Sequence, residues 1–241
     1  RQMCIRDRDA KFENLPNYLE AWLKGEMKQP QGVSDIDDQF FISRVRPLDR
    51  IKDGDYQVRP EVKRDRKMCL WTPLDDPTSK WKALPRYCFE GDNFSLWSYI
   101  DIHGNWTSPW IRSTAGLTDV AHKNGVSVGC VMSIGYGAYI YLNQWRPDTY
   151  SKTLYKLTKK EGGKFVYAAP LVRMMKYYGV NGIGFNSEFR TSSDVMATLT
   201  DFFVACHKEA EKINWKFEVH WYDGTGDDGS IPVSYTHLTL P

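Results

Sequence analysis

Apolar and polar positions alternate with two different periods along the chain, and this separates short strands from longer helices. Five apolar runs have the length and composition of strands: Met68–Trp71, Tyr99–Ile102, Val126–Met132, Val180–Phe185 and Phe217–Tyr222. Four stretches have helical spacing: Leu15–Leu23, Ser113–Asn124, Pro170–Tyr178 and Ser193–Ile213. Helices that alternate with the later strands predict βα units, a parallel sheet and an α/β fold.

The length and the two ends of the chain suggest how it is divided. A (β/α)8 TIM barrel has roughly 250 residues, close to the 241 present here, but the pattern contains five strands. The opening Arg-Gln-Met-Cys-Ile-Arg-Asp-Arg and the closing Val-Ser-Tyr-Thr-His-Leu-Thr-Leu-Pro resemble translated sequencing-adapter read-through. We therefore predict adapter scars over 1–8 and 233–241, a leader segment over 9–66, and a partial TIM barrel over 67–232. A barrel truncated after about the fifth strand exposes two sheet edges, so we expect this fragment by itself to be insoluble or inactive.

Composition excludes several classes of protein. Lys and Arg number 32 against 30 Asp and Glu, which is not the strongly basic balance of a nucleic-acid-binding protein. The apolar runs are far shorter than the roughly 20 residues that span a bilayer. Aromatic residues make up 14% of the chain, with 9 Trp and 14 Tyr, which favours a site that stacks on flat ligands such as sugars. The four cysteines outside the predicted adapter scars lack metal-site spacing and are interpreted as small core residues: Cys69, Cys88, Cys130 and Cys206.

The fourth predicted strand ends in the most informative motif, Asn186-Ser-Glu188. In a parallel barrel the active groups lie at the carboxyl ends of strands, and alternation places these two residues on the same face. A lone carboxylate lacks the pair found in ordinary glycosidases. It suits substrate-assisted catalysis, in which Asn186 orients a 2-acetamido sugar and Glu188 acts as general acid and base. By itself the motif also fits a helix-capping Asn followed by a solvated Glu.

Other residues at or near strand ends have two interpretations each. His103 either touches sugar hydroxyls at the barrel mouth or is structural. Trp106 and Tyr136 lie in or near loops that follow strands and are interpreted as sugar platforms in preference to core residues. His220 either packs in the barrel interior or serves the site. His122 is expected at a helix end, bonded to the carbonyls of the last turn.

Four blocks together resemble a known family in their order and spacing: Asn93–Asp101, Ala121–Val126, Tyr177–Glu188, and Trp221–Asp223 followed by Asp228-Gly229. The family is glycoside hydrolase family 85, the endo-β-N-acetylglucosaminidases that cut within the chitobiose core of N-glycans. The resemblance covers about Leu15 to Ile231. It implies a TIM barrel, a retaining reaction without metal or cofactor, and N-linked glycans or glycoproteins as binding partners.

The resemblance also implies roles for single residues. Asn186 matches the Asn that positions the acetamido group and stabilises an oxazolinium intermediate, and Glu188 matches the general acid/base. Tyr222 matches the tyrosine that contacts the acetamido group. Its neighbours Trp221 and Asp223 complete the expected substrate-binding block.

Two alternatives remain beside this interpretation. A family 18 chitinase-like enzyme would carry Asp at three positions that read Asn181, Gly184 and Asn186 here. A catalytically inactive glycan-binding protein would have no need of Glu188. Family 85 members often have Asp where Asn181 stands and a bulkier residue where Gly184 stands, which leaves subsite detail open. The adapter-like ends and a glycan-cleaving activity together suggest a bacterium that uses host glycans outside the cytoplasm.

Overall fold

The computed structural model of the protein describes residues 15–25, 41–49, 67–72, 96–105, 111–131, 154–186 and 193–222. Their helices are α1 Leu15–Leu23, α2 Ala115–Lys123, α3 Ala168–Tyr178 and α4 Ser193–Lys212. Their strands are β1 Cys69–Thr72, β2 Ile102–Asn105, β3 Ser127–Val131, β4 Lys160–Glu161, β5 Lys164–Phe165, β6 Gly182–Asn186 and β7 Glu218–Tyr222. The predicted helix boundaries are confirmed to within about two residues.

Within the described part of the chain, the main sheet has five strands in the order β1-β2-β3-β6-β7, and every neighbouring pair is parallel. Strands of this sheet that are consecutive along the chain are therefore neighbours in the sheet. This is the arrangement of consecutive strands in a (β/α)8 barrel. The predicted α/β fold and partial TIM barrel are confirmed, as a half-barrel of parallel strands with helices against it.

The second strand differs from its prediction. Tyr99 ends a short 3-10 turn that begins at Trp97, and β2 starts at Ile102, where the predicted strand ended. Ile100 lies in the core and outside the sheet, since it packs with Trp97 in a small buried cluster. Asp101 fixes the approach to β2, because its backbone N–H donates to Met68 O at 2.8 Å and its Oδ2 accepts from Met68 N–H at 2.8 Å. Packing of the turn therefore outweighs the strand propensity of the apolar run.

The two faces of the sheet are filled differently. The face toward the helices carries buried apolar side chains such as Val128, Cys130 and Ile183. The opposite, interior face carries glycine at four positions on three neighbouring strands: Gly104, Gly129, Gly182 and Gly184. Because successive residues of a strand point to opposite faces, these glycines leave the interior open to large side chains from elsewhere in the sheet.

The leader segment contributes directly to the main core. Leu15 and Leu19 of α1 are fully buried in one cluster with Leu171 of α3 and Phe202 of α4. A polar contact holds α1 in place, since the side chain of Glu20 accepts hydrogen bonds from Tyr167 Oη and, at 3.0 Å, from Lys156 Nζ. Among the described residues, no helix is long and apolar enough to cross a membrane.

A small hairpin of β4 and β5 lies outside the main sheet. Lys160 pairs with Phe165 and Glu161 with Lys164. The connecting residues Gly162 and Gly163 have φ of 55° and 76°. Two successive residues with positive φ are what a tight two-residue hairpin turn requires, and glycine adopts them without a Cβ penalty.

Candidate active site

The ends of β6 and β7 bring two predicted site residues to the same edge of the sheet. Asn186 is the last residue of β6 and Tyr222 is the last residue of β7. The two are Cα partners in the parallel register. Both strands run in the same direction, so these positions lie side by side at the carboxyl edge, where barrel enzymes carry their active groups.

Of the other predicted site residues, the structure describes Trp221 and His103. Trp221 is the register partner of Phe185, one position before the strand ends. Four predicted site residues lie outside the described residues: Glu188, Asp223, Trp106 and Tyr136.

His103 lies inside β2 and away from the barrel mouth. It is 3% exposed, and its ring lies 5.6 Å from that of Trp97, centroid to centroid. The next residue, Gly104, is on the interior face, so alternation places position 103 on the face toward α2. The three-residue displacement of β2 explains this placement, because the predicted strand ended before His103.

The interior directly below the carboxyl edge is occupied by Trp71. A Cβ added to Gly104 or to Gly184 would collide with its ring, and a Cβ on Gly129 would lie 3.5 Å from Cη2. Gly184 precedes Asn186 by two residues on the same face of β6. Trp71 therefore forms a layer one pleat below the position of Asn186.

His220 is the second side chain that fills the interior. A Cβ on Gly182 would collide with its ring, and a Cβ on Gly129 would lie 2.7 Å from its Nδ1. Its ring meets that of Trp71 edge to face at a centroid distance of 5.6 Å. Of the two interpretations offered for His220, the structure supports interior packing, one pleat below the position of Tyr222.

A carboxylate lies beneath this layer at the start of β7. Glu218 Oε1 is 2.6 Å from Lys67 Nζ and 3.1 Å from Lys216 Nζ. Its Oε2 is 3.9 Å from His220 Nε2, longer than a hydrogen bond. Burial by itself raises the pKa of Glu218, but the interactions with His220 and Lys67 and the charge of Lys216 outweigh it, so the pKa is well below its ordinary value. The carboxylate is therefore ionised at neutral pH and connects β7 to the residues before β1.

Sequence reasoning did not assign Trp71 and Glu218 to this region. The interior glycines could have indicated the position of Trp71. They leave space in the interior that a large side chain from another strand has to fill. For Glu218 the signal was a charged residue two positions before His220 on the same face of β7.

Comparison with known proteins gives the family. The family model described as Glycosyl hydrolase family 85 matches residues 80–236. A chitinase, RmChi1 from Rhizomucor miehei, aligns with 15% identity and a TM-score of 0.36. The alignment covers 60% of this chain and 44% of the chitinase, so the chain spans less than half the length of that enzyme. No curated protein sequence matches the chain. Because the family match covers more than half of the chain and includes β2 through β7, the chain belongs to glycoside hydrolase family 85.

Proposed function

We propose that the protein is an endo-β-N-acetylglucosaminidase, which hydrolyses the GlcNAc-β1,4-GlcNAc core of N-linked glycans with retention of configuration. The observation that carries the proposal is the register of β6 and β7, in which Asn186 and Tyr222 are partners at the last positions of neighbouring strands. Two groups that both act on one acetamido group must be adjacent at the carboxyl edge. The membership of the chain in family 85 supports the same reaction.

In the proposed mechanism the substrate supplies the nucleophile. The oxygen of the 2-acetamido group attacks the anomeric carbon, while the bond from that carbon to the leaving sugar oxygen breaks and Glu188 donates its proton to that oxygen. Asn186 and Tyr222 hold and polarise the acetamido group during this step. The Glu188 carboxylate then takes a proton from water, whose oxygen attacks the same carbon and reopens the oxazolinium ring. Two inversions at one carbon give overall retention.

The remaining predicted contacts surround this centre. Trp221 and Asp223 flank Tyr222 in the chain, and we assign them to the same glycan-binding block. Trp106 and Tyr136 follow strands and are proposed as aromatic platforms for sugar rings. His103 is left out of the binding set, because it packs against Trp97 on the other face of the sheet.

The test is release of glycan from an N-glycoprotein by the native full-length protein that contains this chain. Removal of a general acid/base lowers a rate by roughly 10²- to 10⁴-fold. We expect Glu188→Gln to lower kcat by that factor. We expect Asn186→Ala to lose activity while still binding glycan. The product should be a protein that retains one GlcNAc on the asparagine, which mass spectrometry measures directly.

A matched control is His207→Ala on α4. The ring of His207 is partly exposed, and its Nδ1 lies 3.5 Å from Glu211 Oε1. This variant should keep full activity. Unchanged glycan release by Glu188→Gln would contradict the acid/base assignment. Glycan binding without any release by the native protein would favour a glycan-binding protein over an enzyme.

A further inference from the structure

The ring of Trp71 closes the interior directly below the position of Asn186. Its carbons Cδ2, Cε2 and Cε3 face Gly104 of β2, and its outer carbons Cζ2, Cη2 and Cζ3 reach Gly184 of β6. Between these two contacts, Cη2 lies 3.5 Å from the place that a Cβ of Gly129 would take. The ring therefore extends from β1 across β2 and β3 to the strand that ends in Asn186.

The nitrogen of the ring lies toward β1 and away from β6. Trp71 forms a hydrogen bond with the thiol of Cys69, which stands two residues earlier on the same face of β1. An indole N–H can only donate, so it donates to the sulfur. The atoms that reach Gly184 are all carbons of the six-membered ring. The surface of the ring below Asn186 is consequently apolar, which suits contact with a methyl group.

A second ring holds Trp71 in this place. The ring of His220 meets it edge to face at a centroid distance of 5.6 Å, and the side chain of His220 is itself only 8% exposed. His220 fills the space at Gly129 and Gly182, so the Trp71 ring cannot move deeper along β6 without displacing it. Trp71 is only partly buried, so part of its surface stays accessible. The ring is therefore a fixed surface inside the half-barrel.

The distance between this ring and the proposed site fits a short acyl group. In the proposed mechanism the acetamido group is held at Asn186, two residues beyond Gly184 on the same face of β6. Two residues advance a strand by about 6.6 Å. Carbon atoms in contact are about 3.5–4.0 Å apart, so two successive contacts would need about 7–8 Å. The interval therefore holds one methyl group against the ring and has no room for a further carbon.

We propose that Trp71 forms the floor of the pocket for the 2-acetamido group and so sets the size of the N-acyl group that the protein accepts, an inference that rests on the proposed function. The substrates are then glycans whose cleaved residue carries an N-acetyl group, and sugars with a longer N-acyl chain are rejected. A pocket closed by carbon atoms discriminates against one extra methylene by roughly 10- to 200-fold.

Binding of two stable analogues of the intermediate to the native full-length protein tests this role. Both are thiazolines of the Manβ1,4GlcNAc unit, in which sulfur replaces the oxygen of the oxazoline ring. They carry either a methyl or an ethyl group on the ring carbon that comes from the acyl group. We expect the native protein to bind the methyl compound at least about 10-fold more tightly, measured by calorimetry as the ratio of the two Kd values. In Trp71→Phe the shorter ring does not reach Gly184, and this ratio should fall by about 10-fold.

The matched control is Trp215→Phe, which makes the same change at the amino-terminal end of β6. The indole N–H of Trp215 donates to the carbonyl oxygen of Val180 at 2.9 Å, and its ring lies 6.4 Å from that of His122, centroid to centroid. His122 lies at a helix end as expected, but its Nδ1 is 2.6 Å from the carbonyl oxygen of Val45 instead of bonding the last turn of its own helix. Because these contacts are far from the carboxyl edge, Trp215→Phe should keep the native ratio of Kd values.

The outcomes separate this role from the proposed function. The ratio compares two ligands on one protein sample, so a smaller folded fraction in a variant cancels. An unchanged ratio in Trp71→Phe, an equal fall in Trp215→Phe, or equal binding of both compounds by the native protein would overturn the role of Trp71 and leave the proposed function standing. A native protein that binds neither compound would contradict the proposed function, and the role of Trp71 with it.

Discussion

The ring of Trp71, on the first strand of the sheet, lies against the backbone of Gly184, three strands away. Such a contact requires the sheet to curve strongly, because a flat sheet would separate these residues by three strand spacings of roughly 4.8 Å each. Glycine at 184 is what allows the ring to reach β6. The absence of a side chain at Gly184 and the large ring of Trp71 are therefore complementary, and together they form one packing arrangement directly below the proposed site.

A side chain at position 184 should disturb this packing. We expect Gly184→Ala to destabilise the fold by about 1–3 kcal/mol, because the new Cβ would overlap the outer atoms of the Trp71 ring. In a Trp71→Phe background those atoms are absent, and the same substitution should cost at least about 1 kcal/mol less. Urea denaturation of the four proteins in this cycle measures the coupling. Strictly additive effects would show that the two residues do not meet.

The carboxylate of Glu218 should make stability depend on pH in the acid range. Its pKa is lowered in the folded state, so its contribution is present above the ordinary glutamate value of 4.5 and is lost as the pH falls below it. Lys67 and Lys216 are more than half exposed, so we expect Glu218→Gln to lose about 1 kcal/mol or less at neutral pH. The free energy of unfolding of this variant should also fall less steeply than that of the native protein as the pH drops below 4.5.

The matched control for Glu218 is Glu161→Gln. Glu161 pairs with Lys159 on the exposed hairpin, where its side chain is 66% exposed. Thermal unfolding measured from neutral to acid pH should separate the two variants. A native-like acid profile for Glu218→Gln would assign the acid sensitivity to other carboxylates.

Gly179 ends α3 and should be much less tolerant of a side chain than Gly25, which follows α1. Both have positive φ, 82° and 68°, so alanine strains the backbone at either position. At Gly179 a Cβ would also lie 2.6 Å from the Cβ of Ser43, while at Gly25 nothing lies within 4 Å. We expect Gly25→Ala to cost about 1 kcal/mol and Gly179→Ala clearly more. Equal losses in chemical denaturation would mean that the leader segment does not pack here.

The burial of α1 predicts a large effect for one leucine and a small effect for its neighbour. Leu19 is fully buried and Leu23, on the same helix, is 47% exposed. Leu19→Ala should lower stability by about 2–5 kcal/mol through the cavity it leaves, and Leu23→Ala should change it by less than about 1 kcal/mol. Hydrogen exchange of the α1 amides would report the same contrast. Similar losses for both variants would argue that α1 is not part of the core.

Local pattern predicted the helices and the type of sheet because those features depend on neighbours in the chain. Leu15–Leu23 and the start of α4 at Ser193 coincide with the predicted boundaries. Gly179 directly follows the predicted helix Pro170–Tyr178 and adopts the left-handed conformation in which glycine commonly ends a helix. The hairpin of β4 and β5 was missed, although Gly162-Gly163 between two short polar segments was a usable signal.

The sequence by itself determined the order of the helices and of the strands of the main sheet, and it placed Asn186 and Tyr222 at the ends of their strands. Alternation of apolar and polar residues, and the residues that end a helix or strand, are local properties of the chain. Only the tertiary structure decided that the two residues are register partners, that β2 begins at Ile102, and that His103 faces the helices. It also decided that Trp71 and His220 fill the space left by glycines on other strands. These outcomes depend on contacts between residues far apart in the chain, where packing of the whole sheet outweighs the preference of any single segment.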